Sequence, residues 1–507
     1  MASNRRLLKG LQPLGRAAGQ ARRRLDRAVG GPARSRVILV LACILALNSA
    51  DTATVGAAAA PLRHALGISN LDIGLLVAVT SAVGALASIP FGALVDRHRR
   101  TRILAWTIVL WGVAMLGSAS VSSFGSLLLA RVFLGAVTAA AGPAVASLVG
   151  DFFPSAERGK IYSYILSGEL VGAGIGFVIS GDLAALSWRV PFIALALPAA
   201  LLAWIVYRLP EPARGGASRL SPGAPRVVGA AELRGQPAPA TAGGGAAPGA
   251  EQDGPIRTDA QQVAAEKGIA PDPELVLRRN PNTMRIVDAA RYVLRIRTNV
   301  ILIIAGACGY YFLAGVETFG LEFAREQYGL GQVLASLMML VLGAGALLGV
   351  LAGGRAGDYL LHRRYLNGRV LVAAIAALAT VLLFIPVLLT RSVATALPYV
   401  VLAAFALTAQ NPAIDAARLD IMPPLLWGRA EGIRTCLRTG AQAIAPLLFG
   451  AVSGLFGGGR SGLDYTFILM LLPLAASGVI LLMALRRYPQ DVATAAAARS
   501  PRRDRVA

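Results

Sequence analysis

The chain has 507 residues, 55% of them hydrophobic and only 15% charged, and its mean hydropathy is +0.61. A water-soluble domain carries about 25% charged residues, so this composition excludes one; apolar runs of about twenty residues, rather than alternating segments of ten, select membrane-crossing helices over a β-barrel. The net charge of +22 is gathered in an N-terminal arm, a central loop, two short loops and a C-terminal tail, a one-sided pattern that fits membrane topology and anionic lipid and excludes a nucleic-acid partner.

In chain order, the first element is a basic arm over residues 1–36, with Arg5, Arg6, Lys9, Arg22, Arg23, Arg24 and Arg27. The apolar run after it outlasts a signal-peptide core and lacks a cleavage site, so it reads as a membrane span. Six spans are expected in a first half, residues 37–210, at 37–60, 72–95, 102–120, 125–149, 160–182 and 188–208. A cytoplasmic linker follows over 211–297. Six more spans are expected in a second half, residues 298–487, at 298–320, 331–354, 367–390, 396–417, 430–455 and 464–486. A tail over 488–507 ends the chain. An all-α polytopic membrane protein of twelve helices results, with both termini cytoplasmic. The loops on the far side are poor in Lys and Arg: Ser120–Ser123 has none, and Leu389–Ala394 has only Arg391.

Within the linker, the Ala/Gly/Pro run Gln236–Gly249 cannot bury a core and is expected to be disordered. Over 282–297, Met284, Ile286, Val287, Tyr292, Val293 and Ile296 are interleaved with Arg285, Arg291, Arg295 and Arg297. That pattern reads as a basic helix on the inner membrane face, with Asn282 or Thr283 as its cap; the other reading is a cytoplasmic extension of the seventh span. Cys43, Cys308 and Cys436 fall in apolar runs without ligand spacing and read as packing residues. His64, His98 and His362 are scattered, and there is no phosphate-binding loop. No enzyme activity, metal or cofactor is expected.

Two internal echoes divide the chain into repeats. Phe91-Gly92-Ala93-Leu94-Val95-Asp96-Arg97-His98-Arg99-Arg100 follows the second span, and Gly354-Arg355-Ala356-Gly357-Asp358, then His362-Arg363-Arg364, follows the eighth. Pro154 to Lys160 after the fourth span matches Pro423 to Gly432 after the tenth: each is a Pro-initiated loop leading to Arg and a small residue at a helix start.

Gly92, Asp96, Arg97 and Arg100 resemble the signature loop of the major facilitator superfamily, Gly-x-x-x-Asp-Arg-x-Gly-Arg-Arg/Lys, with Gly354, Asp358 and Arg363 as a second copy. Arg99 stands where the second Gly is usual, and Thr101 where the last basic residue is. Arg131 and Gly135 match the family's Arg-x-x-x-Gly pattern in the fourth span. The resemblance implies two six-helix halves rocking around a midplane site by alternating access. It also implies that the loop locks the outward-open state, its Asp meeting the positive N-terminus of the eleventh span near Ala430. Asn48-x-x-Asp51, Leu66-Gly67-Ile68-Ser69 and Gly74-Leu75-Leu76 are similar to the Spinster-like branch, although Thr52 and Thr138 replace that branch's usual Arg and Glu.

Charges inside a membrane cost about 2.5–3.5 kcal/mol each and face a partner or a cavity. At about 1.5 Å per residue, Asp51 lies roughly 21 Å above the basic end of its span and Arg131 roughly 10 Å below the outer end of span four, hence roughly 20 Å up, so the two can pair. Protonating Asp51 would break the pair and bias alternating access; a static structural pair is the other reading. Glu169, roughly 14 Å into the glycine-rich fifth span, is a candidate for cation or proton binding or a hydrogen-bonded acid at a helix interface. Asn48, Thr138, Tyr310, Tyr311, Gln410, Asn411 and Gln442 are cavity candidates or interhelical glue. Glu317 and Asp415 fall at opposite membrane edges by the same arithmetic and are discounted. The expected protein is a monomeric proton-linked secondary transporter of a bacterial inner membrane, driven by the proton gradient. It exports small amphipathic or hydrophobic compounds; uptake of a small metabolite and a non-transporting sensor are the alternatives.

Overall fold

The computed structural model describes residues 26–68, 70–184, 186–214, 258–277, 281–457 and 459–498. The run Gln236–Gly249 and most of the basic arm lie outside the described residues. Twelve membrane helices form two sets of six. The first set is Pro32–Ala57, Asn70–Arg97, Arg100–Ser120, Phe124–Thr138 continued by Ala141–Phe152, Arg158–Ala184 and Val190–Tyr207. The second is Arg297–Tyr328, Gln332–His362, Gly368–Leu389, Val393–Asp420, Trp427–Leu455 and Gly459–Ala484. They are called spans one to twelve below. Span four is not continuous as expected: it breaks at residues 139–140, because Pro143 has no N–H to offer the Ala139 carbonyl and its ring crowds that carbonyl.

Among the described residues, eleven helices are long and apolar enough to cross a membrane by composition. The twelfth, span eleven, carries Arg429, Glu431, Arg434 and Arg438 in its first half. Such a helix fits a bilayer only if these charges face protein or a cavity. Leu437, Ile444, Leu447 and Leu455 on the same helix are exposed, as are Leu129, Leu197, Leu340 and Leu382 elsewhere. These apolar surfaces face the hydrocarbon.

Close helix approach rests on small residues, as in membrane packing generally. In span five, Gly168, Gly172 and Gly176 meet Ala42, Ala46 and Ala50 of span one; a Cβ on Gly172 would lie 2.2 Å from the Ala46 carbonyl oxygen. Span eight repeats the device, with Gly345, Gly349 and Gly353 against Val401, Phe405 and Ala409 of span ten. The halves pack on each other through spans two with eleven and five with eight.

The helix ends that bear the two termini form a basic face, and short helices cover it. Arg285, not Asn282 or Thr283, precedes the linker helix Ile286–Arg295; Pro281–Thr283 is a separate 3-10 turn. Ile296 is extended, so this helix is its own element rather than an extension of span seven. Ala289 and Val293 are buried beneath it. Two further helices carried no strong sequence signal: Asp259–Glu266, whose Thr258 and Gln261 form a reciprocal capping box, and Tyr488–Ala497 in the tail.

Candidate functional site

Two matching locks hold the halves together at the basic face. In the first, Asp96 at the end of span two accepts hydrogen bonds from the backbone N–H groups of Gly428 (2.7 Å) and Arg429 (3.0 Å), the first turn of span eleven. Unpaired N–H groups and the helix dipole make that terminus an anion seat. The Arg429 guanidinium adds an ion pair at 3.3 Å. In the second lock, Asp358 accepts from Gly159 (3.1 Å) and Lys160 (2.6 Å), the first turn of span five. The two aspartates are related by the repeat, and each caps a helix of the opposite half. Glycine is obligatory beside each: a Cβ on Gly92 would sit 2.5 Å from the Gly428 carbonyl oxygen, and one on Gly354 1.9 Å from that of Gly159.

Buried arginines stand at the starts of spans three and nine. Arg100 is buried and pairs with Asp151, the Ser147 hydroxyl (2.9 Å) and Glu211 (2.7 Å). Burial pushes the Glu211 carboxyl up, but the Arg100 charge and bonds from Thr101 outweigh it and hold Glu211 below its ordinary value. In the second half the corresponding arginine is Arg369, which sequence reasoning missed. It binds Asp358 at 2.7 Å and also Asp420 and the Ser155 carbonyl. Arg363, which sequence spacing assigned to this lock, is instead exposed, its guanidinium 5.2 Å from the Tyr359 ring centroid. The signature spacing extends to Asp358 but not into the turn after it, where Tyr365 to Asn367 carry the chain away before Gly368 begins span nine. Arg97 is exposed and donates to the Met284 carbonyl of the linker at 2.9 Å.

Ser155 of the loop after span four donates to Asp420 at the end of span ten (2.7 Å), and Arg158 lies 3.8 Å from the same carboxylate. The tail reaches this point too: the Tyr488 hydroxyl donates to Asp420 at 3.0 Å.

Deeper in the first half, Arg131 donates to Asp51 at 3.0 Å, both side chains buried, with the guanidinium 4.9 Å from the Phe192 ring centroid. The structure thus brings together the two charges that depth arithmetic put level. No further carboxylate pairs with either among the described residues. Beside them Asn48 and Thr138 line one recess with Thr107 and Trp111, between spans one, three and four.

The second half holds a larger network. Glu431 takes Arg418 at 2.7 Å and Arg434 at 2.7 Å, and Arg434 also lies 3.2 Å from Asp415. All four are buried. Asp415, expected at the membrane edge and discounted as a coupling site, is buried and paired, because span eleven lies alongside and supplies Arg434. Glu317 is exposed on span seven.

The remaining candidates separate. Tyr310 and Tyr311 are adjacent in sequence, so a helix turns them about 100° apart. Tyr310 is buried under the Arg438 guanidinium, 4.5 Å from its ring centroid, whereas Tyr311 packs on Phe449 at 5.9 Å inside the second half. Gln410 is fully buried against Gly309, and Asn411 is buried beside it. Glu169 and Gln442 are partly buried. Glu169 lies within electrostatic reach of Tyr310 and Arg438 across the gap between the halves.

Comparison with known proteins gives a consistent result. The sequence profile described as Major Facilitator Superfamily matches residues 41–403. Similar curated proteins include "Probable anion transporter 3, chloroplastic" of Arabidopsis thaliana, 31% identical over 168 residues (32% of this chain, 33% of the relative). "Protein spinster homolog 3" of Danio rerio is 30% identical over 183 residues (35% of this chain, 37% of the relative). The chain thus spans little more than a third of the length of these relatives. Among solved structures, the inward-facing, occupied form of a bacterial homolog to the human lysosomal transporter Spinster covers 93% of this chain and 99% of its own, with a TM-score of 0.56 at 19% identity. That likeness is one of fold.

Proposed function

The chain belongs to the major facilitator superfamily and is a multi-pass membrane transporter, not an enzyme; from that premise we propose that it couples substrate movement to protons through Asp51 and Arg131. The observation that carries this reading is their solitary buried ion pair. A buried pair is held by mutual attraction against the cost of desolvation, so removing one charge exposes the other to the whole of that cost. One proton on Asp51 does this. Arg131 is then driven toward another anion or toward water, which changes the relative stability of the two cavity states.

The positive-inside rule favours the basic face on the cytoplasmic side, and a bacterial inner membrane is the setting we propose. The two locks at that face then close the inner side, which is the outward-facing state. Asp96, Asp358 and the paired glycines gate the change, and Arg97 and Arg100 serve the first gate. Export of a small amphipathic compound is the reading that suits the recess that Asn48 and Thr138 line with apolar neighbours. The test uses the full chain in liposomes with a pH-sensitive dye inside. A panel of alkyl carboxylates, alkylammonium ions and sugars is added under an imposed proton gradient. Substrate-dependent proton flux supports the reading, and substrate movement with no accompanying proton movement refutes the coupling.

A further inference from the structure

The linker helix Ile286–Arg295 leaves one side uncovered. It packs on spans two, seven and eleven, with Ala289 and Val293, one turn apart, buried. On the other side Val287, Arg291 and Leu294, spaced four and three residues apart, share a face, and Arg295 flanks it. Val287 is 65% exposed and Leu294 46%. Arg285, Arg291, Arg295 and Arg297 are exposed as well. Asp288 is the one carboxylate on the helix; it lies 3.5 Å from Arg291 at an exposed position, where such a pair holds little. The other three arginines form no ion pair among the described residues. Exposed aliphatic side chains edged by free cations are the pattern of a helix lying in a membrane interface.

Both ends of this helix are fixed at the level where the spans begin. At one end Ile296 is the single extended residue before span seven, a reach of about 3.5 Å. At the other, the Met284 carbonyl accepts from Arg97, the last residue of span two, at 2.9 Å, and the Pro281 carbonyl accepts from Arg429, in the first turn of span eleven, at 2.9 Å. Leu94, one turn back from Arg97, is exposed, so the apolar surface of span two reaches to within about 4.5 Å of Arg97 along the helix. A helix of ten residues is about 15 Å long. Tied at both ends at this level, it lies along the membrane surface.

We propose that the helix Ile286–Arg295 is a binding surface for anionic phospholipid, with Arg291 and Arg295 on the phosphate groups and Val287 and Leu294 at the start of the acyl chains. The occupant is lipid of the bilayer, because the uncovered face is level with the exposed apolar surface of span two and its charge is opposite to that of an acidic leaflet. Each arginine beside such a leaflet adds about fivefold to the preference for it, so Arg291 and Arg295 together account for about 25-fold. This concerns lipid rather than substrate and goes beyond the coupling reading above.

The test is hydrogen exchange at the amides of residues 286–295 in the purified full chain, held in nanodiscs of phosphatidylcholine alone or mixed with phosphatidylglycerol. Exchange is expected to slow about tenfold in the anionic discs. The slowing should vanish at high salt, which screens exposed charges. Arg291→Gln combined with Arg295→Gln should remove the difference between the two discs, and Val287→Ser combined with Leu294→Ser should speed exchange in both. Arg363→Gln, an exposed arginine elsewhere, should change neither. Equal exchange in the two lipids would overturn the proposal and leave the face to a protein partner. A lipid difference that survives the double arginine variant, or the same slowing produced by soluble glycerol phosphate added to phosphatidylcholine discs, would overturn it too. If a variant does not fold, the wild type in both lipids at low and high salt still decides it.

Discussion

The two halves handle buried charge differently. The first half holds Asp51 and Arg131 as one pair, and Asp96 is tied by one arginine, Arg429. The second half holds Asp415, Arg418, Glu431 and Arg434 as a connected set, and Asp358 shares Arg369 with Asp420, which in turn engages Ser155, Arg158 and Tyr488. An isolated pair is broken by one proton. In the larger set, losing Asp415 still leaves Glu431 paired with Arg418 and Arg434. The second half is built as a permanent frame, and the first carries the charges that can change.

That contrast is broken most severely at Asp51. Asp51→Asn should lower proton-coupled accumulation by about 100-fold or more, whereas exchange of substrate across liposomes at equal pH should persist. Next come the lock glycines. Gly92→Val and Gly354→Val each force a side chain into a backbone carbonyl, so both should unseat their aspartates. Hydrogen exchange at the Gly428 and Arg429 amides should rise about tenfold or more in Gly92→Val, because fewer bonds cross the first lock. The Gly159 and Lys160 amides should respond less in Gly354→Val, since Ser155, Arg158 and Arg369 still span the second.

A smaller effect separates the two arginines of the second lock. Arg369→Gln leaves Asp358 buried without its cation and Asp420 with Arg158 alone at 3.8 Å, and should cost about 3 kcal/mol of stability. Arg363→Gln removes an exposed side chain and should stay within about 0.5 kcal/mol. The smallest effect is a pH dependence. The folded Glu211 value lies below its ordinary 4.5. Its carboxylate therefore stabilises the fold above that value, and the contribution is lost as pH falls below about 4.5 through the folded value. Melting curves of the wild type and Glu211→Gln should differ at pH 7 and converge as the pH falls below the ordinary 4.5.

Much of this was legible in the sequence. The apolar runs located twelve spans, and the repeated Gly-to-Asp spacing pointed to both locks. Depth along a helix found the Asp51–Arg131 pair, because Asp51 counts from a clear basic end and Arg131 lies close to the outer end of span four, before its break. It did not reveal the partner of Asp415, since depth does not say which helix stands alongside. The Arg418 and Asp415 pair three residues apart, facing Glu431 and Arg434 three residues apart, was the available signal. Arg369 was missed because the turn between Arg363 and Gly368 has no fixed periodicity to count across. The helix Asp259–Glu266 is too short and too polar to register as an amphipathic stretch, although Thr258 and Gln261 have the spacing of a cap.

The most direct measurement compares Asp51→Asn with Asp415→Asn in liposomes, recording substrate-driven proton flux and substrate exchange on the same preparations. The difference between the halves predicts that Asp51→Asn exchanges substrate without moving protons, while Asp415→Asn, with Glu431 still holding Arg434, keeps both. Proton flux that survives Asp51→Asn and vanishes in Asp415→Asn would contradict it and move the coupling site into the second half.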